Sequence, residues 1–234
     1  MRINEIYSSL QGEGLLAGTP SVFIRITGCN LRCHWCDTPF TSWEPTGKQM
    51  TIPEVLRVVE KHEQRHVVVT GGEPLLFSET VDLCNQLRHQ SYHVTIETAG
   101  TVIPQSFGNE IHSDLMSISP KLSSSSPDTN TSLSWSKRHQ ASRRQDDILR
   151  SLIASGPWQM KFVIETREDL DEADAWIQDL QLQHRHGVIF MMPQGISKDH
   201  LSRTCAWLSN ACKQRGYRLA NRHHIEWFGN TRGT

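Results

Sequence analysis

The apolar positions of the chain fall into short runs, alternately β-branched and helix-periodic, with polar, glycine-marked loops between them. Ile3, Ile6 and Tyr7 precede a polar, glycine-rich turn, Ser8-Ser9-Leu10-Gln11-Gly12-Glu13-Gly14. A strand follows over 21–27, carrying one charge, Arg25, among apolar neighbours; such an arginine either points outward or offers a fork to a carboxylate. Thr51, with Glu54 three residues on, forms a capping box for a helix whose apolar face is Val55, Val58 and Val59. Residues 66–70 form a β-branched run of the kind buried in a parallel sheet, ending in Gly71-Gly72-Glu73-Pro74. A helix over 78–90 leads to strands over 93–97 and 115–119. Further on come a short helix over 146–155, a strand over 158–165, a helix over 167–182, a strand over 188–192, a helix over 197–215 and an extended stretch from 217.

About seven or eight strands alternating with about five helices predict parallel β/α units. A doubly wound sheet and a barrel are the two solutions. A full eightfold barrel takes ~250 residues and has a helix after each strand. Here two early strands have no helix between them, which points to an α/β fold of the partial, open parallel β/α barrel kind. Residues 122–144 interrupt the rhythm with serine, asparagine, threonine and basic residues, Leu133 and Trp135 being almost the sole apolar ones. They read as a mobile loop or insertion within a single domain spanning 1–234, because the alternation resumes beyond them.

Composition narrows the function. With 24 basic and 25 acidic residues the net charge is −1, so no global field recruits nucleic acid or a membrane surface. The first residues lack the apolar core of a signal peptide and no segment approaches ~18 unbroken apolar residues, so the expected location is the cytoplasm. Six cysteines there argue against a disulfide framework and for metal or redox use of the three that cluster. Cys84, Cys205 and Cys212 sit in helix-like stretches and read as structural thiols.

The clustered three, Cys29, Cys33 and Cys36, form a C-x3-C-x2-C loop directly after the 21–27 strand. A structural zinc site wants four ligands, usually as two separated pairs, and no second pair with that spacing follows. An iron–sulfur cluster held by three thiolates suits the spacing better and leaves one iron open. In β/α architectures functional groups lie at the carboxyl ends of strands. The cysteine loop, Gly71-Gly72-Glu73-Pro74, Glu97-Thr98, Ser119-Pro120-Lys121 and Pro193-Gln194-Gly195 all occupy such ends, so a parallel sheet would bring them around one mouth. The glycines of the Gly-Gly-Glu-Pro loop expose backbone to a ligand and its glutamate is an acceptor for a cationic group; as an ordinary turn it would simply be stiffened by Pro74.

C-x3-C-x2-C followed by Gly-Gly-Glu-Pro resembles the radical S-adenosylmethionine superfamily. Within it, Ser9-Leu10-Gln11-Gly12-Glu13-Gly14, Arg25-Ile26-Thr27-Gly28-Cys29-Asn30-Leu31, Cys36-Asp37-Thr38, Thr70-Gly71-Gly72-Glu73-Pro74, Glu97-Thr98 and Ser119-Pro120-Lys121 are similar to the 7-carboxy-7-deazaguanine synthase family. The resemblance implies a lyase with the radical S-adenosylmethionine type of open barrel, a [4Fe-4S] cluster, S-adenosylmethionine and Mg2+. The implied reaction converts 6-carboxy-5,6,7,8-tetrahydropterin to 7-carboxy-7-deazaguanine with loss of ammonia, in queuosine precursor synthesis. It further implies a homodimer and a one-electron donor of the flavodoxin or ferredoxin type.

Residue by residue, the resemblance places Leu10, Gln11, Gly12 and Glu13 on the pterin, Arg25 on its carboxylate, Thr70 as a further substrate contact, and the end of the chain at Thr234 toward substrate. Cys29, Cys33 and Cys36 would hold the cluster and Thr38 the Mg2+, although Thr38 could instead cap its loop. Trp35, Cys36, Asp37, Gly72, Glu73, Ser119, Pro120, Lys121, Pro193 and Gln194 would contact S-adenosylmethionine. Two rival readings share the cysteine loop. A glycyl-radical-enzyme activase would act on a protein and gives no reason for Gln11, Glu13 and Arg25 to meet. A noncatalytic iron–sulfur or zinc module leaves Gly-Gly-Glu-Pro unexplained.

Overall fold

The structure is a computed structural model that describes residues 1–104 and 113–234. Its framework is nine strands in a single sheet: β1 (Arg2–Leu10), β2 (Pro20–Ile26), β3 (Lys48–Gln49), β4 (His66–Gly71), β5 (His93–Thr98), β6 (Leu115–Ile118), β7 (Trp158–Ile164), β8 (Ile189–Pro193) and β9 (Arg218–Leu219). The helices are α1 (Pro39–Ser42), α2 (Ile52–Val59), α3 (Glu79–His89), α4 (Thr129–Ser142), α5 (Asp146–Ala154), α6 (Arg167–Asp179), α7 (Lys198–Arg215) and α8 (His223–Phe228).

The sheet order is β3-β1-β2-β4-β5-β6-β7-β8-β9. From β2 to β9 every pairing is parallel, whereas β1 runs antiparallel to both β2 and β3. A doubly wound sheet would reverse its strand order at a switch point. Here the order never reverses beyond β2, and the two ends, β3 and β9, do not meet. The chain is therefore the open, partial barrel that the alternation predicts.

Alternation along the strands divides two environments. Val22, Ile24 and Ile26 of β2, Val67 and Val69 of β4, Val94 and Ile96 of β5, and Met160, Phe162 and Ile164 of β7 belong to one continuous buried cluster with residues of the covering helices, among them Val55, Leu87, Trp176 and Leu208. The intervening positions carry the polar residues Ser21 and Arg25, His66 and Thr70, Thr95 and Glu97, Ser117, Gln159 and Lys161, with Phe23, Val68 and Val163 among them. Parallel register aligns them in layers, with Ser21 opposite His66 and Arg25 opposite Thr70. A small cluster of Phe190, Met192 and Ala220, packed with Val163, completes the inner face near β8.

Three segments differ from expectation. Ser8–Leu10 continue β1 rather than forming a turn, because each pairs with β2 across the antiparallel ladder. Residues 122–144 are not an extended loop: they hold a short turn at Ser123–Ser125 and then α4, broken at Ser132, where φ is −165°. Their few interior residues suffice, since His139 is wholly buried and joined to Ser125. The stretch from 217 extends only through β9 before turning into α8, whose first N–H donates to the Gly12 carbonyl (3.0 Å). The Thr51 and Glu54 capping box is present as expected. Among the described residues, no helix is long and apolar enough to cross a membrane.

The deepest inner layer is a hydrogen-bonded triad. His66 Nδ1 lies 2.7 Å from Ser21 Oγ and its Nε2 lies 2.8 Å from Thr95 Oγ1. Burial, reinforced by His93 at 5.0 Å between ring centroids, pushes the imidazole down to about 4, against weaker opposing pulls from Glu97 and Asp114. A histidine kept neutral in the fold binds its proton more readily when unfolded, so its contribution is complete above about 6.5 and is lost as pH falls toward about 4. Denaturant melts should therefore show stability dropping between pH 7 and pH 5. His66→Gln should flatten that slope, and an unchanged slope would exclude the triad as its source.

Candidate functional site

A cavity of about 750 Å³ opens at the carboxyl ends of the parallel strands. It is lined by the cysteine loop, by the 10–13 segment, by the ends of β2 and β4 to β8, and by residues 230–234. Nearly all the strand-end residues singled out in the sequence converge here: Leu10, Gln11, Gly12, Glu13, Arg25, Trp35, Asp37, Thr38, Thr70, Gly72, Ser119, Lys121, Gln194 and Thr234, together with Cys29, Cys33 and Cys36.

Its electrostatic centre is Lys161, 3% exposed, which the sequence reading passed over. Lys161 Nζ donates to Glu13 Oε2 (2.8 Å) and Glu97 Oε1 (3.5 Å). Burial disfavours the ammonium, but the two carboxylates outweigh it and raise its pKa. Burial likewise opposes the Glu13 carboxylate, yet Lys161 and Arg222 hold it far below the usual range. Both remain charged at neutral pH. Gln11 Nε2 donates to Glu97 Oε1 (3.3 Å), and Thr70 Oγ1 donates to Glu97 Oε2 (3.1 Å). Four separate strands or loops therefore share one polar floor.

Arg222, just before α8, ties that floor to the cysteine loop. Its Nε donates to Glu13 Oε1 (3.3 Å), Nη2 to Asp37 Oδ2 (2.5 Å) and Nη1 to the Gly195 carbonyl (2.6 Å). His224, 3.9 Å from Glu13, packs on Gly12 so closely that a Cβ there would lie 2.4 Å from its Nδ1. Only glycine fits at 12. Arg25 is on the wall, but its fork is already bonded: Nε donates to Glu5 Oε1 (2.8 Å) and Nη2 to the Tyr7 hydroxyl (2.9 Å). Burial disfavours the cation, and Tyr7 and Glu5, with a smaller pull from Asp37, more than restore it. Residues 230–234 fold back along the same wall, with Arg232 donating to Glu5 Oε2 (2.8 Å).

Lys161 follows the same sequence pattern that marked Arg25, one charge within an apolar strand, and could have been found by it. Arg222 and His224 lie beyond the last strand and carry no such signal.

The Gly-Gly-Glu-Pro loop is pressed against the cysteine loop. Gly72 N–H donates to the Ile26 carbonyl (3.1 Å) and Glu73 N–H to the Gly28 carbonyl (2.8 Å). A Cβ on Gly72 would lie 2.2 Å from the Gly28 oxygen and 2.8 Å from Cys29 Cβ, so the two backbones approach as only glycine allows. Glu73 is placed differently from its neighbours Gly71 and Gly72. It is fully buried and does not line the cavity; Oε1 accepts from Leu75 N–H (3.1 Å) and Thr98 Oγ1 (2.8 Å), and Oε2 from Ala99 N–H (2.8 Å). Its carboxylate clasps the loop after β4 to the end of β5. Pro120 and Pro193 also stand off the cavity wall, while their neighbours Ser119, Lys121 and Gln194 form it. Lys121 Nζ donates to Ser119 O and Oγ, both at 2.8 Å.

Thr38 occupies the N-cap position of α1, yet its hydroxyl makes no capping bond. It lies on the cavity wall 3.8 Å from Cys36 Sγ. The three cysteine thiols suit an iron–sulfur cluster by their chemistry. Burial pushes Cys29 and Cys33 up to about 12, so thiolates there need strong local positive charge, which bound iron provides. No group of three His, Cys, Asp or Glu among the described residues is set to hold a single metal ion. A cubane asks for something else, one thiolate on each of three irons.

An open β/α barrel with a three-cysteine loop at the mouth of its cavity defines a radical S-adenosylmethionine domain, and the model of the Radical SAM superfamily matches residues 23–144. The chain is 45% identical to a 7-carboxy-7-deazaguanine synthase of Rhodopirellula baltica over 99% of its own length and 88% of the relative's. It is 38% identical to one of Halobacterium salinarum, covering 95% and 88%. It belongs to the 7-carboxy-7-deazaguanine synthase family. In fold it matches the crystal structure of QueE from Escherichia coli with a TM-score of 0.68 at 24% identity, covering 95% and 94% of the two chains.

The Glu73 clasp gives a direct test. Glu73→Ala should leave three buried donors unpaired and lower the unfolding free energy by about 3 kcal/mol in a denaturant titration. Full stability with a loss confined to S-adenosylmethionine binding would return Glu73 to the cofactor.

Proposed function

We propose that the chain is a radical S-adenosylmethionine lyase that converts 6-carboxy-5,6,7,8-tetrahydropterin to 7-carboxy-7-deazaguanine with loss of ammonia, the step that supplies queuosine synthesis. One observation carries the substrate assignment: Gln11, Glu13, Arg25, Thr70, Glu97 and Lys161 share a single cavity with the three cysteines. Cys29, Cys33 and Cys36 would hold the [4Fe-4S] cluster, which together with S-adenosylmethionine would supply the radical chemistry at the substrate.

The protein's part is to bind and orient. A pterin presents alternating donors and acceptors along one edge, and the polar floor offers both kinds: carboxylates of Glu13 and Glu97, the amide of Gln11 and the hydroxyl of Thr70. Lys161 and Arg222 keep Glu13 ionised and fixed, so it accepts hydrogen bonds without reorganising as substrate arrives. Arg25, held by Glu5 and Tyr7, directs positive charge toward the substrate carboxylate. The Thr38 hydroxyl, which caps no N–H and accepts only a long bond from Thr41 Oγ1 (3.5 Å) on its helix, is an oxygen donor for Mg2+. Trp35, Cys36, Asp37, Gly72, Ser119, Lys121 and Gln194 form the wall on which S-adenosylmethionine would lie, and residues 230–234, Thr234 included, flank the substrate. A homodimer, a cytoplasmic location and a flavodoxin or ferredoxin donor accompany this reading by family likeness.

Anaerobic reconstitution with reductant, S-adenosylmethionine, Mg2+ and the carboxytetrahydropterin should yield carboxydeazaguanine. Formation of 5′-deoxyadenosine only on addition of a protein substrate would instead make the chain an activase. Glu13→Gln and Arg25→Ala should each retain the iron and sulfide content and the visible absorption of the cluster. Each should also lower kcat/KM by about a hundredfold or more. Loss of the cluster in either would mark the residue as structural.

A further inference from the structure

Along β1 the alternation of faces breaks once. Ile3 and Ile6 pack with the continuous apolar cluster, whereas Glu5 and Tyr7 line the cavity, so residues 3 and 5 lie on opposite faces although a regular strand would put them on one. The cause is in the register: Ile3 pairs with Ile26 and Glu5 with Arg25, two steps along β1 against one along β2, which is a bulge at Asn4. The bulge turns Glu5 inward, directly opposite Arg25.

There Glu5 meets two cations with one carboxylate. Oε1 accepts from Arg25 Nε and Oε2 from Arg232 Nε, both at 2.8 Å. Arg232 also donates through Nη2 to Oδ1 of the bulged Asn4 (2.5 Å) and lays its guanidinium 4.2 Å from the Phe40 ring centroid. Asn4 Nδ2 in turn donates to the Thr46 carbonyl (3.0 Å). Residues 230–234 leave α8 at Gly229, where φ is 70°. Among the described residues, only the two bonds of Arg232 join this segment to any element other than α8, and Arg232 is half exposed. The segment is thus a strap with a single latch. One carboxylate does not neutralise two guanidinium groups, so positive charge remains on the stretch of wall formed by Arg25 and Arg232.

We infer that Glu5 is a positioning residue that joins two events: it aims Arg25 at the carboxylate of a 6-carboxylated pterin, and through Arg232 it latches residues 230–234 over that carboxylate. The inference rests on the substrate reading above. A ligand carboxylate beside Arg25 supplies the second negative charge that the two guanidinium groups lack, so it tightens the latch as it binds. A pterin without the carboxylate fills the polar floor and leaves the latch as it was. Arg25 and the strap together select the carboxylate, and Glu5 carries the coupling between them.

The test uses the reconstituted full chain with S-adenosylmethionine and no reductant, so that binding is read without turnover. By calorimetry, Glu5→Gln and Arg232→Ala should each weaken binding of 6-carboxy-5,6,7,8-tetrahydropterin on the order of tenfold, and binding of tetrahydropterin lacking the carboxylate by less than about twofold. Trypsin gives a second readout, since loss of the residues after Arg232, followed by mass spectrometry, reports opening of the latch. The carboxylated pterin should slow that cleavage in the wild type and the unsubstituted one should not; in Glu5→Gln neither should. Equal losses of affinity for the two pterins would make both residues merely structural and overturn the inference. Cleavage of the wild type at one rate with and without the carboxylated pterin would overturn it as well. If the wild type binds neither pterin, the substrate reading itself fails; cleavage of the ligand-free chain then decides the latch, and equal rates in wild type and Glu5→Gln overturn it.

Discussion

Placing an ammonium group inside a barrel costs several kcal/mol unless carboxylates meet it with good geometry, and the cavity is organised around how Lys161 meets that requirement. Glu13 and Glu97 come from a loop and a strand far apart in sequence, and each is bonded further: Glu13 to Arg222, Glu97 to Gln11 and Thr70. Moving any member removes a hydrogen bond from at least one partner in the network. The network thereby fixes the loop before β2, the ends of β4 and β5, and the segment after β9 in one arrangement. Such preorganisation is what substrate orientation requires, because polar groups that are already fixed need not reorganise as charge is redistributed.

A second constraint holds the cysteine loop. Its backbone is pinned from below by Gly72 and Glu73 N–H, donated to the Ile26 and Gly28 carbonyls, and from the side by Arg222 on Asp37. Glu73 stabilises this without touching the cavity. The motif's two glycines and its glutamate have different tasks: close approach of two backbones at Gly72, and capture of three donors between β4 and β5 at Glu73.

The open barrel was legible because parallel β/α units leave a strong periodic trace: β-branched runs at 66–70 and 158–165, and capped helices such as that begun by Thr51. The mouth of the cavity was legible because strand ends carry motifs. What sequence did not disclose is pairing. Glu73 reads as an acceptor in any turn, and only the fold shows that three donors already occupy it. Arg222 lies after the last strand in a segment without periodicity, and its three bonds span 27 to 209 residues of chain. Residues 122–144 looked unstructured because composition counts apolar residues, whereas α4 is held by a buried histidine accepting a backbone N–H and by indole–guanidinium stacking. Polar side chains can order a segment when their partners are fixed elsewhere, and composition does not register partners.

That same origin explains why α4 sits where it does. A helix with so little apolar surface cannot bury itself against the general core and must dock where specific polar partners exist. The cysteine loop offers them, since Arg32 N–H and His34 N–H belong to an irregular segment with no ladder to join. His139 and the Ser125 carbonyl take those donors, so α4 satisfies the loop's backbone as the loop anchors α4. The consequence is chemical as well as structural. Water is displaced from one side of a loop whose Cys29 and Cys33 thiols are already raised by burial, and exclusion of water strengthens every charge interaction there. The outer surface over that loop becomes whatever α4 presents, and α4 presents cations.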